Sequence, residues 1–507
     1  MQSPSRFVLL AGALVMAGAC AQQPDATDSG EQQALASAEI TEIPITTANE
    51  AARVDFLAGQ ELADVARPQE ANELFRAAVE KDPTFAYAWL NIAFTGQTAD
   101  EFNSNVERAM ENISFASDGE KMLIEVGGAF TDADNDRALE ISQRLTEAYP
   151  ASPRAWLNLG GVRAGRQETA AAREAYMKAL ELDPNMYAAH SAIGINYLFQ
   201  EPRDFAKAKE HFEHTVALKP EEAKGYEFLG DTYRAMGELE TARASYSSAL
   251  EKDPGLGVAA LKKGHINSFL GNYDEARADY DIGIENASAF NKGTYAVYRA
   301  FVPLHAGQPG ESIAELVGIA EMADDMGVRE DQAIAIKTFA LNQAATIALH
   351  HEMFEALEDI LSALEIVRQQ NVELVDDPEF TLTQQANSLW WKARAAAWMG
   401  ETDAAKATLE EHKALLESVR SPTRYQGYHQ VLGEIALKQG NFAEAITNLS
   451  EANQTSMYVK YELALANEGA GNAEAAKRLF TEVANYNFNS VGFALVRRDA
   501  MMKAGMS

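Results

Sequence analysis

Apolar residues recur three and four positions apart through most of this chain, the spacing that places them on one face of an α-helix. The periodic segments come in pairs. The clearest pair runs from Ala223 to Leu256. On its first segment Tyr226, Leu229 and Tyr233 form an apolar stripe with Gly230 on the same side, and on its second Ala242, Tyr246 and Ala249 repeat the spacing. Gly230 carries no side chain, so the second helix can lie close against the first, with small alanines and large rings interdigitating. Pro254, just after Asp253, stops the second helix through its missing N–H and fixed φ. One such pair cannot bury its apolar surface alone and needs neighbours.

Tyr226, Leu229, Gly230, Tyr233, Ala242, Tyr246, Ala249 and Pro254 fall at the positions that define a tetratricopeptide repeat, a helix-turn-helix unit of about 34 residues. The chain resembles that family. The resemblance implies an all-α fold, an α-solenoid of tetratricopeptide-like helix-turn-helix repeats wound as a right-handed superhelix. The alanine-like landmark of the second helix can be followed at Ala71, Asn105, Ala138, Ala172, Ala208, Ala242, Ala276, Ser312, Ala356, Ala405, Ala445 and Ala476. Spacing stays near the repeat period up to Ser312 and then stretches to 44 and 49 residues, by subtraction. A two-residue excess before Ala208 predicts an enlarged turn at Glu201, Pro202 and Arg203. The expected organisation is a regular array over 48–290, a diverged array with longer helices over 291–425, and C-terminal repeats over 426–507. Within the diverged part the polar stretch Gln369 to Phe380 reads as a long inter-helix loop, and Val491 to Lys503 as a helix capping the open end.

Composition narrows the partners. The chain has 507 residues, 47% hydrophobic, and a formal charge of -32. That balance argues against nucleic acid, which needs a basic face, and against adhesion to an anionic membrane surface. The scattered acidic excess reads as a repelling surface that keeps a long array soluble.

The first residues read as an export signal over 1–19. Arg6 precedes an apolar run from Phe7 to Met16 and the small residues Ala17, Gly18 and Ala19. Cys20, the only cysteine, has no internal disulfide partner. Its surroundings resemble the lipobox of bacterial lipoproteins, which implies acylation of Cys20. Ala17 stands where that family usually has leucine, and cleavage after Ala19 or Ala21 by an ordinary signal peptidase is the alternative. Because Ala21 is not the aspartate that retains such lipoproteins at the inner membrane, the resemblance implies an outer-membrane anchor facing the periplasm; the alternative is a soluble periplasmic protein. Residues 20–47, rich in Gln, Ser, Thr, Asp and Pro, read as a flexible tether reaching roughly 30 Å.

No fragment carries a convincing chemistry. Gly255, Gly257 and Ala260 spell a dinucleotide fingerprint but follow a helix rather than a strand. Asp132, Asp134 and Asp136 alternate as in a calcium loop, yet Arg137 holds the required glycine position, so an acidic turn with Asp136 capping the next helix is expected. His211 and His214 lack a third zinc ligand of matching spacing, and His350, His351 and Glu352 lack the second histidine of a metalloprotease helix. Trp390 and Trp391 point about 100° apart, so they pack between repeats or expose one ring as a stacking platform. No catalytic residue, cofactor or metal is expected.

In this family the first helices line the concave face, and the resemblance carries that face onto Arg154, Asn158, Lys224, Glu227, Phe228, Asp231, Arg234, Lys262, His265 and Ser268. Four firm positive charges against two negative suggest a groove for an extended or acidic peptide with Phe228 as anchor. The expected function is a non-enzymatic, envelope-anchored scaffold that binds a protein or peptide in this groove, in assembly of an envelope complex, with membrane attachment through the N-terminal lipid only and no nucleic acid. The alternatives are a glycan- or nutrient-capturing outer-membrane lipoprotein and an enzyme or processing factor with a dispersed site.

Overall fold

The computed structural model describes residues 42–506. Among these the regular elements are all helical. In chain order the helices pair as Glu50–Asp64 with Pro68–Lys81, Ala86–Thr95 with Ala99–Glu111, Asp118–Thr131 with Asn135–Ala148, Pro153–Gly165 with Thr169–Leu182, Tyr187–Phe199 with Phe205–Leu218, and Ala223–Met236 with Leu239–Lys252. They continue as Gly257–Leu270 with Tyr273–Glu285, Ala289–Arg299 and the short Val302–His305 with Pro309–Met322, and Glu330–His350 with Phe354–Val375. Pro378–Trp398 with Thr402–Leu416, Gln426–Lys438 with Phe442–Glu451, Met457–Gly469 with Ala473–Ala484, and a terminal Val491–Ala504 complete the order. The architecture is an all-α array of tetratricopeptide-like pairs. Its contacts divide it into two compact units, one ending at Thr232 and one beginning at Tyr233.

The landmark residues sit where the second helix presses on the first. Eleven of the twelve are buried, including the polar Asn105 and Ser312. Ala356 is half-exposed and its neighbour Leu357 is fully buried instead, a register shift of one position in the stretched region. The period stretches for two visible reasons: the extra Val302–His305 turn, and first and second helices of 21, 22 and 21 residues between Glu330 and Trp398.

Close approach within pairs relies on a glycine of the first helix lying under a large side chain of the second. A Cβ at Gly160 would lie 2.3 Å from Tyr176 Cε1, at Gly194 2.7 Å from Phe212, and at Gly433 2.6 Å from Leu449. Tyr176 and Phe212 are almost wholly buried as a result. A second recurring device is the turn inside the pair, where one residue adopts the left-handed conformation. In the second unit this residue is usually glycine, as at Gly271, Gly400 and Gly471; in the first it is Ala66, Ala133 and Gln167, which meet a Cβ–carbonyl clash that glycine avoids.

Three expectations are corrected. The stretch Gln369 to Phe380 is not a loop: the helix runs on to Val375, Asp376 turns it in the left-handed region, and Asp377 starts the next helix by accepting from the Phe380 N–H at 2.7 Å, with Pro378 at its first position. The cap of helix Asn135–Ala148 is Asp134, which accepts from the Arg137 N–H at 3.0 Å, whereas Asp136 pairs with Arg166 at 2.7 Å. The end of the expected tether, residues 42–47, lies packed on the first unit. Ile43 is buried over Gly119 and Tyr149, the Ser117 hydroxyl donates to the Pro44 carbonyl at 3.0 Å, Ser152 donates to Glu42 at 3.0 Å, and the Thr46 N–H donates to Glu120 at 2.8 Å. Isoleucine and threonine at this end supply the apolar side chain and the hydrogen-bonding groups for this contact. Cys20 and the expected signal lie outside the described residues.

Gly160→Leu should overpack the pair and cost ~1 to 3 kcal/mol, and Tyr176→Ala should open a cavity costing ~3 to 5. Gly271→Ala, where a Cβ meets nothing within 4 Å, should cost only about 1 kcal/mol of backbone strain. Urea midpoints that rank the three otherwise would contradict the packing described.

Candidate partner-binding surface

The residues expected to face a partner are carried by first helices in both units, and the structure buries seven of the ten. In the first unit Arg154 and Asn158 lie on Pro153–Gly165, where Ser142 donates to Asn158 at 2.8 Å. Asp64 sits in the same electrostatic field. Burial holds its carboxyl well above the usual carboxylate range, with Arg154 pulling down and Glu61 pushing further up. On Ala223–Met236 Lys224 reaches Glu227 at 2.7 Å, Phe228 stacks on Phe212 with centroids 5.0 Å apart, and Asp231 is buried. Within the stripe Lys224 and Glu227 therefore offset one another. Lys224 and Phe228 are half-buried.

In the second unit Arg234, His265 and Ser268 are buried and Lys262 is half-buried. Their cover comes from the far end of the chain. The Arg234 guanidinium lies 4.4 Å over the Phe488 ring, and Asn489 Nδ2 donates toward His265 Nδ1 and the Tyr280 hydroxyl, both at 3.2 Å. His305 Nε2 is 3.4 Å from Asn489 Oδ1, Phe493 meets Phe269 edge-on at 5.4 Å, and Arg497 donates to the Phe269 carbonyl at 3.3 Å. Burial, then Arg234, holds His265 well below its ordinary value, and burial takes His305 down to about 4. The helix Val491–Ala504 thus does more than end the array: it packs on Ala473–Ala484 and also against Val302–His305 and Glu330–His350.

The weighed fragments resolve as packing. Trp391 donates backward to Asn342 at 3.0 Å and Trp390 forward to the Gly427 carbonyl at 3.1 Å, so the two rings serve successive repeats. His211 and His214 gain a neighbour that their spacing did not show, His190 on the preceding helix. Its Nδ1 is 3.1 Å from His211 Nδ1 and its ring stacks on His214 at 4.7 Å. His190 Nε2 faces the Pro184 carbonyl at 3.0 Å, which assigns the proton to Nε2 and leaves Nδ1 as the acceptor. Among the described residues no group of three or more His, Cys, Asp or Glu side chains is arranged to hold a metal ion.

One polar cluster escaped the sequence reading. Arg394 and Glu434, 3% and 2% exposed, meet through a bidentate pair of 2.8 to 3.0 Å. Glu434 also accepts from Trp398 Nε1 at 2.9 Å and Gln430 at 3.0 Å, and the guanidinium lies 5.2 to 5.8 Å from the Trp390, Trp391 and Tyr458 rings. Tyr458 in turn bonds His350 Nδ1 at 2.8 Å. Burial opposes the Arg394 charge, but Glu434 more than offsets it and holds the guanidinium protonated. Glu462 lies beside this pair, and burial together with the Glu434 charge keeps its carboxyl well above the usual range. A signal existed: Arg394 and Glu434 each lie eleven residues before their landmark alanines, Ala405 and Ala445, as His265 does before Ala276.

Glu434→Gln should leave Arg394 buried without its counter-charge and cost ~3 to 5 kcal/mol. Glu462→Gln removes the titrating carboxyl at nearly the same size and should fold normally. Because the folded pKa of Glu462 is raised above its ordinary 4.5, its contribution is fully present below that value and is lost as pH rises toward the folded pKa. The glutamine variant carries no such loss. Its urea midpoint should therefore gain on wild type from pH 5 to pH 8; a parallel pair of curves would contradict the assignment.

A family model described as tetratricopeptide repeat matches residues 129–187 and 198–257. Superkiller complex protein 3 of Mus musculus is 26% identical over 185 residues, 36% of this chain and 12% of the relative. Tetratricopeptide repeat protein 37 of Xenopus laevis is 26% identical over 214 residues, 41% of this chain and 14% of the relative. The chain therefore spans only about a seventh of these relatives. Among solved structures, the Cut9-Hcn1 hetero-tetramer of the APC/C aligns with 85% of this chain and 76% of its own at 16% identity and a TM-score of 0.38. MamA aligns with 32% of this chain and 93% of its own at 24% identity and a TM-score of 0.29. Residues 129–187 and 198–257 are tetratricopeptide repeats, set in an all-α chain of tetratricopeptide-like helix pairs.

Proposed function

We propose that this chain is a non-enzymatic scaffold of tetratricopeptide repeats, anchored in the envelope, that holds another protein and takes part in assembling an envelope complex. The observation that carries the reading is the unbroken run of helix pairs. Between Glu50 and Ala504 the longest interval separating two α-helices is residues 417–425, too short for an inserted catalytic domain. Relatives named as part of a superkiller complex support a role inside a multi-protein assembly. Contact would be made through the inner faces of the units: in the first, the half-buried Lys224 and Phe228 supported by Arg154, Asn158, Glu227 and Asp231; in the second, Lys262 with Arg234, His265 and Ser268. The sequence around Cys20 supports a lipid anchor at the outer membrane, facing the periplasm. No helix among the described residues is long and apolar enough to cross a membrane.

Mild crosslinking in native envelopes followed by affinity purification should enrich a discrete protein with this chain. Recovery of nothing beyond what an unrelated envelope lipoprotein recovers would overturn the scaffold reading. Cys20→Ser should move the protein from the membrane pellet to the soluble fraction; unchanged pelleting overturns the anchor. Calorimetric binding of an oligosaccharide in place of a protein would favour the nutrient-capture alternative.

A further inference from the structure

The second unit already holds a peptide on the face proposed for a partner. The loop Tyr486–Ser490, reading Tyr-Asn-Phe-Asn-Ser, comes from more than 200 residues away in sequence and is gripped through side chains. Two of its residues are recognised chemically. Phe488 takes the cation–π position under Arg234 at 4.4 Å. Asn489 is recognised at both ends of its amide. Its Nδ2 donates to the His265 and Tyr280 pair, themselves 2.7 Å apart, and its Oδ1 faces His305 Nε2. An aspartate could not donate there, and an aliphatic residue would take the Asn489 partner from His305 Nε2 and leave the His265 and Tyr280 pair only each other. Asn487 supplies the bend between the rings, at φ 53 in the left-handed region that asparagine tolerates.

The loop and the helix after it are held differently. Phe493, Val496 and Ala500 are buried to 1% or less, whereas Tyr486, Phe488, Asn489 and Ser490 are half-buried and Asn487 alone of the loop is buried. The loop can therefore leave its site without dissolving the core beneath the helix. We propose that the inner face of the second unit is a peptide-reading surface selective for an aromatic residue followed by asparagine, that Tyr486–Ser490 is its internal occupant, and that the partner docks there by presenting the same pair and displacing the loop. This rests on the partner-binding reading above and names the chemistry that reading leaves open.

The test uses the full chain and a fluorescein-labelled peptide spanning Ala484 to Val491. In a Phe488→Ala, Asn489→Ala double variant the two subsites are emptied. The peptide should bind this variant at least tenfold more tightly than it binds wild type, and a peptide with both residues replaced by alanine should bind neither. Equal affinity for variant and wild type, or no binding to a variant whose circular dichroism and melting curve remain native, overturns the proposal. Should the variant fail to fold, hydrogen exchange on wild type decides. Amides of 486–490 should exchange much faster than those of 491–504, and exchange of both only through global unfolding overturns displacement. A partner recovered from envelopes alongside a failed peptide titration would sink this inference and leave the scaffold reading standing.

Discussion

The array depends on how closely two helices of a pair can approach, and that distance is set by a ring lying on a glycine. At Gly160 and Gly194 the space a Cβ would need is already taken by Tyr176 and Phe212. The large side chain covers bare backbone, and the pair closes without a void. Repeats then stack because each pair still carries apolar surface that only the next pair can cover. Between Glu330 and Trp398 the sequence holds no glycine, and the helices lengthen to 21 or 22 residues. There the landmark slips by one residue, from Ala356 to Leu357.

The same geometry turns the other side of each first helix toward its counterparts in neighbouring repeats, and that side is polar. Polar groups brought together and dried must find partners or lose their charge. Arg394 and Glu434 solve this by meeting across successive repeats at the same repeat position, with the Glu462 carboxyl beside them held well above the usual range by burial and the Glu434 charge. Elsewhere the chain brings segments from outside the local repeat to complete the surface. In the first unit residues 42–47 run past the starts of helices Asp118–Thr131 and Pro153–Gly165 and satisfy Glu120 and Ser152. In the second unit Phe488 and Asn489 satisfy Arg234, His265 and Tyr280. In both cases a stretch of the chain from outside the local repeat completes the surface.

Local pattern was enough to read the helices, their pairing and the landmark positions, because a tetratricopeptide unit is built from contacts within one or two repeats, and those contacts leave a period in the sequence. It also indicated the turn around Glu201 to Arg203 and the inward packing of at least one tryptophan. Local pattern misjudged Gln369 to Phe380 because polar composition was weighed above the Asp-Asp-Pro signal that closes one helix and opens the next. Asp136 likewise lies two residues inside the helix that Asp134 caps.

The sequence by itself determined that this is an all-helical repeat protein and which residues face which side of each helix. Only the tertiary structure decided what covers those sides. Arg154, Asp231, Arg234 and His265 look like a solvated stripe when each helix is considered alone, yet they are buried, and the groups that cover Arg234 and His265 come from the far end of the chain. Helical period follows from interactions three and four residues apart and is written locally. Burial of an inner face follows from contacts such as Asn489 with His265, separated by 224 residues, and no local pattern encodes which distant segment will supply them.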